Sequence, residues 1–248
     1  MHRFFIPTQT LSATTISFPP ETARQIAAVL RLRVGQSVLV LDNVGGEAEV
    51  RLVVVDRRAV LGEIVARRAA PPEPALRLSL LLCLTQREKF ELMLQKCTEL
   101  GAAGFVPVIS SRSLVQDGAD AARKLLRWRQ IVQEAAEQCG RGAIPFIAPV
   151  QGWAQALQSA AVANEGCLLA WEQERTRTLK QALQSYSPQA SLAVLVGPEG
   201  GLAQEEVDAA ERAGFTPFSL GPRILRMETA AIAVTADVFF HFENQTVE

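Results

Sequence analysis

Two histidines in 248 residues, His2 and His241, both near the ends of the chain, leave little material for histidine-based acid–base chemistry. Cysteine is equally sparse. Cys83, Cys97, Cys139 and Cys167 are far apart, with no CxxC pair and no Cys/His cluster, which argues against a zinc site. Three of the four fall on apolar faces and read as small hydrophobes, and the set fits a reducing cytoplasm. No apolar run reaches membrane-spanning length and Met1–Pro7 lacks a signal-peptide pattern, so no membrane partner is expected. Neither GxGxxG nor GxxxxGKS/T occurs, so the usual dinucleotide and triphosphate cradles are not indicated. There is no internal repeat and no low-complexity tract.

What is present is a hydrophobic content of 48%, enough for a substantial core in one large or two modest domains. The net charge of −1 is unevenly spread. Residues 1–72 hold nine arginines against six acids, a balance of +3, whereas residues 73–248 hold sixteen basic residues against twenty acids. The front half therefore leans toward an anionic partner, although an ordinary solvated surface accounts for +3 as well.

Pro19-Pro20-Glu21 opens a helical pattern through Ala23, Ile26, Ala27 and Leu30. Val34–Leu41, Ala48–Val55 and Val60–Ala66 read as strands, broken by turn residues at 43–46 and 56–58, which suggests a small barrel. Ala69-Ala70-Pro71-Pro72-Glu73-Pro74 is a stiff linker candidate. From Leu76 onward strands and helices alternate. Leu76–Leu84, Phe105–Ile109, Gly166–Trp171, Leu192–Val196 and Thr216–Leu220 read as strands, and Glu88–Leu100, Ala121–Cys139, Gln204–Ala213 and Glu228–Phe240 as helices. That alternation predicts a parallel sheet with helical crossovers, an α/β domain.

Two glycine-punctuated segments stand out. Gly197-Pro198-Glu199-Gly200-Gly201 follows a strand and precedes a helix, where glycine lets the backbone approach a ligand; a tight strand–helix turn fits it equally well. In Leu220–Ala230, Arg223 and Arg226 flank Ile224-Leu225 just before a helix start. The aliphatic pair suits a flat, weakly polar ring and the arginines an anion, unless they only pair with local acids such as Glu228. Ligands of open α/β sheets bind at turns of this kind, at the carboxyl ends of strands. Glu134 and Gln138 share one face of the long helix, followed by Arg141; a solvated face explains them too.

Taken together, these segments resemble the ribosomal RNA small subunit methyltransferase E family, in the SPOUT superfamily. The match also takes in Arg3-Phe4-Phe5, Val29-Leu30-Arg31, Glu99-Leu100-Gly101, Arg112-Ser113 and Glu134 through Arg141. The resemblance implies a PUA-like β-barrel RNA-binding domain over residues 1–72 and a SPOUT α/β methyltransferase domain with a trefoil knot over 73–248. It implies methylation of N3 of one uridine in 16S rRNA by a homodimer, with S-adenosylmethionine (SAM) as methyl donor and no metal. A ribose 2′-O-methyltransferase on rRNA or tRNA and a non-catalytic RNA-binding module are the rival readings. Carried over by position, the SAM pocket comprises Leu195, Val196, Gly197, Gly200, Leu220, Gly221, Ile224, Leu225, Arg226 and Ala230. Arg226 is the first choice for stabilising deprotonated uracil. Glu199 is either a proton acceptor or a residue that holds its loop. RNA contacts are assigned to Arg31, Arg33, Arg57 and Arg58, and to Arg112 and Arg141. The sequence departs from the family pattern at Gln25, where a histidine is usual, at Ala203, where Ser or Thr usually begins the helix, and at Met227, where a smaller residue is usual.

Overall fold

The structure, a computed structural model, describes residues 1–8, 11, 13–56, 59–116 and 118–243, and only the backbone of residues 118–122. The expected RNA contacts Arg57 and Arg58 lie outside the described residues. Two compact units emerge. The first comprises Met1–Glu73 together with Gln133–Ile144, and the second Pro74–Val132 together with Pro145–Glu248.

In the first unit, strands β1 (Arg3–Phe5), β2 (Thr15–Ser17), β3 (Ser37–Leu41), β4 (Gly46–Val55) and β5 (Val60–Ala69) form a sheet in the order β1-β3-β4-β5-β2. Only the β1–β3 pairing is parallel. Alternation along each strand sorts the side chains onto two faces. Phe4, Val38, Val40, Val50 and Leu52 bury into one core with Ile16, Phe18 and Ile26. Phe5 and Leu41 point the other way and meet Ala136 and Ile144. That second face explains why residues 133–144 join the first unit, although a single cut at 72/73 leaves them with the second.

The helix opened by Pro19-Pro20 is short. Helix α1 (Pro20–Arg24) widens into a π turn over Gln25–Val29, closed by the Leu30 N–H donating to the Gln25 carbonyl at 2.8 Å. The linker candidate contains the boundary between units, and it is tied down. Glu73 pairs with the Arg141 guanidinium and also accepts from the N–H groups of Gly142 and Ala143, at 3.0 Å each.

The second unit is a seven-stranded parallel sheet. Its main path is β12 (Phe215–Phe218), β10 (Gly166–Ala170), β11 (Ser191–Val196), β6 (Arg77–Cys83), β7 (Gly104–Ile109) and β8 (Phe146–Ile147), with β9 (Gln151–Gly152) also on β7. The central strands are apolar on both faces, as parallel strands covered by helices must be; Leu192 through Leu195 are fully buried. Helices α2 (Arg87–Glu99) and α7 (Met227–Glu243) pack together, and α7 also touches β6 and β11. Gly101, at φ +111°, takes the left-handed conformation that ends α2. Helix α3 (Gly118–Cys139) runs from the second unit into the first. The shorter helices are α4 (Trp153–Ala163), α5 (Leu179–Leu183) and α6 (Gln204–Arg212). No helix among the described residues is long and apolar enough to cross a membrane.

Candidate active site

Strands β12, β10 and β11 lie side by side and parallel, so their carboxyl ends open on the same edge. The loop after each contributes to one cavity of about 410 Å³. Small-molecule sites span about 300–1,000 Å³. The end of β10 and the loop after it supply Ala170, Trp171 and Glu172, and the end of β11 and the loop after it supply Val196 through Gly201. The loop after β12 supplies Ser219 to Gly221 and Arg223 to Met227, with Ala230 in the first turn of α7.

Glycine is required for different reasons at different points. Gly201 and Gly221 adopt φ +68° and +112°, conformations that side-chain-bearing residues rarely take. A Cβ on Gly201 would also fall 2.9 Å from Glu172 Oε1, so two of the three loops approach closely there. A Cβ on Gly200 would sit 3.3 Å from that of Arg112, facing the loop after β7.

Nine of the ten expected pocket residues line the cavity. Leu195 does not. Its side chain is fully buried in β11, paired with Leu81 and Leu169, and supports the site from behind. The sequence reading missed the β10 loop altogether, because no glycine punctuates Ala170–Glu172. That omission matters, since the indole N–H of Trp171 is buried and has no acceptor among the described residues. A buried donor of this kind suits a ligand bearing an acceptor.

Glu199 lies in the cavity wall, with its carboxylate engaged. One oxygen accepts from the Thr85 hydroxyl and from Lys89 Nζ, the latter at 3.0 Å. Burial pushes its pKa up, but hydrogen bonds from Thr85, its own backbone and Lys89 outweigh that and hold it below the usual carboxylate range. A general base works best with a pKa near the working pH, so Glu199 is better suited to fastening the glycine loop to the β6–α2 turn. Arg226 is the opposite case. Its guanidinium is exposed at the cavity and has no partner among the described residues.

Two of the expected RNA contacts have partners within the chain. Arg112 donates to the carbonyls of Gly200 at 3.2 Å and Leu202 at 3.5 Å, bracing the loop from outside. Arg141 is committed to Glu73, with only 11% of its side chain exposed. The basic balance of the front half also shrinks. With Glu73 and residues 133–144 included, the first unit carries ten arginines against nine acids. Arg67 is taken up by the carbonyls of Leu11 and Ala13, and Arg68 by Glu47. Arg31 and Arg33 stay exposed, without side-chain partners among the described residues.

The departure at Ala203 has a visible consequence. Helix α6 has no side-chain cap from residue 203, but Glu206 reaches back to the Ala203 N–H at 3.0 Å. Its other oxygen accepts from the Ser111 N–H at 2.8 Å, joining the loops after β7 and β11. Met227 is buried and lines the cavity. Among the described residues, no three His, Cys, Asp or Glu side chains gather to hold a metal.

Residues 71–238 match the RNA methyltransferase domain model and residues 19–65 the RNA methyltransferase PUA domain model. The Bacillus subtilis ribosomal RNA small subunit methyltransferase E is 32% identical over 98% of each chain. The Synechocystis protein of the same name is 31% identical over 96% of this chain and 77% of its own. Among solved structures, the Neisseria gonorrhoeae ribosomal RNA small subunit methyltransferase E bound to SAM superposes with a TM-score of 0.88 at 31% identity, covering 98% of both chains. A putative methyltransferase from Legionella pneumophila with bound SAM gives 0.83 at 27%, covering 96% of both. Agreement of this extent, in sequence and in fold, means that the chain belongs to the ribosomal RNA small subunit methyltransferase E family.

Proposed function

We propose that this chain methylates N3 of one uridine in 16S rRNA of the small ribosomal subunit, with SAM as donor, in the cytoplasm and as a homodimer. The observation that carries the reading is the three-loop cavity, with an unsatisfied buried donor at Trp171 and an unpaired guanidinium at Arg226. The cavity's residues fit SAM. The adenine would lie against Ile224 and Leu225, where backbone groups of the loop read its edge, and Trp171 would donate to an acceptor of the ligand. When bound, SAM supplies an electrophilic methyl group on its sulfonium.

The protein's own contribution is positioning and charge. Uridine N3 carries a proton and is a poor nucleophile until that proton leaves. Its loss spreads negative charge onto the flanking carbonyl oxygens, and Arg226 would stabilise that charge as oxyanion donors do. Glu199 is tied to Thr85 and Lys89, so the proton passes to solvent in this scheme. Arg31 and Arg33 would meet RNA phosphates. For the dimer, the supporting surfaces are Ile224, 83% exposed at the cavity, and Phe240, 72% exposed on α7. Val234, Val238 and Phe239 of α7 are absorbed by the unit's own core and offer no interface.

The test is to digest rRNA from cells with and without this protein and weigh the separated nucleosides. Loss of N3-methyluridine is expected. Loss of a ribose-methylated nucleoside instead would favour a 2′-O-methyltransferase. Failure of the protein to bind SAM in a titration would favour a non-catalytic RNA-binding module.

A further inference from the structure

The first unit contains a second cleft, of about 270 Å³, whose residues the active site does not use. Its floor is the start of β1, held by the Leu39 N–H donating to the His2 carbonyl at 2.9 Å. Gln25 and Leu30 bound it from the π turn, and Glu134, Glu137 and Gln138 from the last turns of α3. Glu137 is half committed, its Oε1 accepting from the Phe5 N–H and from Gln133 at 3.0 Å each. Arg3 contributes a buried Nε–H with no acceptor among the described residues.

Three features mark this as a built site. The π turn is a wide, uncommon geometry that concentrates at functional positions, and it sets Gln25 and Leu30 at the cleft. The next residue, Arg31, stands at φ +54°, a left-handed conformation that is rare outside glycine. The exposed guanidiniums of Arg31 and Arg33 therefore follow directly on a cleft residue. Finally, the lining combines a buried donor, two amides that donate and accept, and carboxylates that only accept.

We propose that this cleft binds one unstacked guanine of the RNA substrate, with its backbone phosphates on Arg31 and Arg33. The inference rests on the reading of the chain as an RNA methyltransferase. Guanine is the base whose edge matches: O6 accepts from the Arg3 Nε–H, while N1–H and the N2 amino group donate to carboxylate or amide oxygens. Adenine reverses the pattern at its six-position, and uracil lacks the second donor. Single-stranded bases read in this way are splayed out and stacked on side chains such as histidine, and exposed His2 lines the same cleft.

The experiment is ligand-observed NMR on the full chain, saturated with SAM, using GMP, AMP and UMP as probes. All three carry the same phosphate, so a preference reports the base. Binding of GMP at least about tenfold tighter than the other two is expected, the scale of one bidentate base contact. Gln138→Leu, at an exposed helix position, should abolish that preference; Gln25→Leu is the second variant should the first not fold. Equal binding of the three nucleotides, no binding, or an unchanged GMP preference in both folded variants overturns the proposal. Methylation of rRNA runs in parallel. A raised KM for RNA with unchanged SAM affinity in Gln138→Leu supports the cleft. If the wild-type chain methylates no RNA yet prefers GMP, the enzymatic reading fails and the guanine site stands.

Discussion

Replacing Arg226 by alanine separates chemistry from SAM binding. The side chain is exposed at the cavity and has no hydrogen-bond or ion-pair partner among the described residues, so removing it orphans no buried group. Stability should therefore change by no more than about 0.5 kcal/mol. If the guanidinium stabilises the uracil anion, its loss should lower the methylation rate about 100- to 1,000-fold, the effect of removing one oxyanion donor. SAM affinity should stay within about twofold, because the aliphatic and backbone walls of the cavity are intact; a tenfold loss would correspond to about 1.4 kcal/mol. Arg226→Lys should recover part of the rate, since a point charge replaces a planar fork. Raising the pH should restore activity to Arg226→Ala by supplying more deprotonated uridine. Single-turnover methylation of small-subunit rRNA at several pH values, beside a SAM titration, measures all of this. Normal turnover in Arg226→Ala, or a defect wholly explained by weaker SAM binding, refutes the role and turns attention to Arg223 and Glu172.

Other outcomes follow from the same contacts. Ala203→Ser restores a side-chain cap to α6 and should stabilise the protein by about 1 kcal/mol in urea unfolding. Glu73→Ala removes the acceptor of Arg141, Gly142 and Ala143, and should cost about 2–3 kcal/mol by the same assay, while leaving the salt dependence of RNA binding unchanged. Arg31→Ala/Arg33→Ala should instead flatten that dependence, by about 0.7–0.9 in slope per lost phosphate contact in a filter-binding series. Glu199 has a folded pKa below its usual value, so its contribution to stability is present above that value and is lost as pH falls through the depressed one. Glu199→Gln should therefore show a shallower loss of stability on acid titration than the wild type. Burial pushes the thiols of Cys83 and Cys97 up to about 12 and that of Cys167 up to about 11, whereas Cys139 is exposed. Maleimide at neutral pH should label the native protein at Cys139 only, and intact-mass measurement of Cys139→Ser should show no adduct.

The parts legible in the sequence were those with local causes. The long apolar runs became parallel strands because burial on both faces demands them, and Gly101 and Gly221 marked turns because positive φ does. The two glycine-rich loops were visible for the same reason. The third wall of the cavity was not, because Trp171 and Glu172 reach it through the pairing of β10 between β11 and β12, a topological fact with no local signature. Arg141 shows the limit most clearly. As a sequence it is an arginine after an acidic helix face, indistinguishable from an RNA contact. Glu73, with which it pairs, lies 68 positions earlier, in a segment that composition marks only as a stiff linker. Helix α3 keeps one unbroken periodicity from Leu125 to Cys139, yet its last turns pack on the sheet of the first unit through Ala136, against Phe5 and Leu41. Periodicity reports that a helix has a buried face, but not which sheet buries it. The same turns supply Glu134, Glu137 and Gln138 to the cleft of the first unit. A helix face that reads as ordinary solvated surface thus becomes one wall of a cleft once its long-range packing is known.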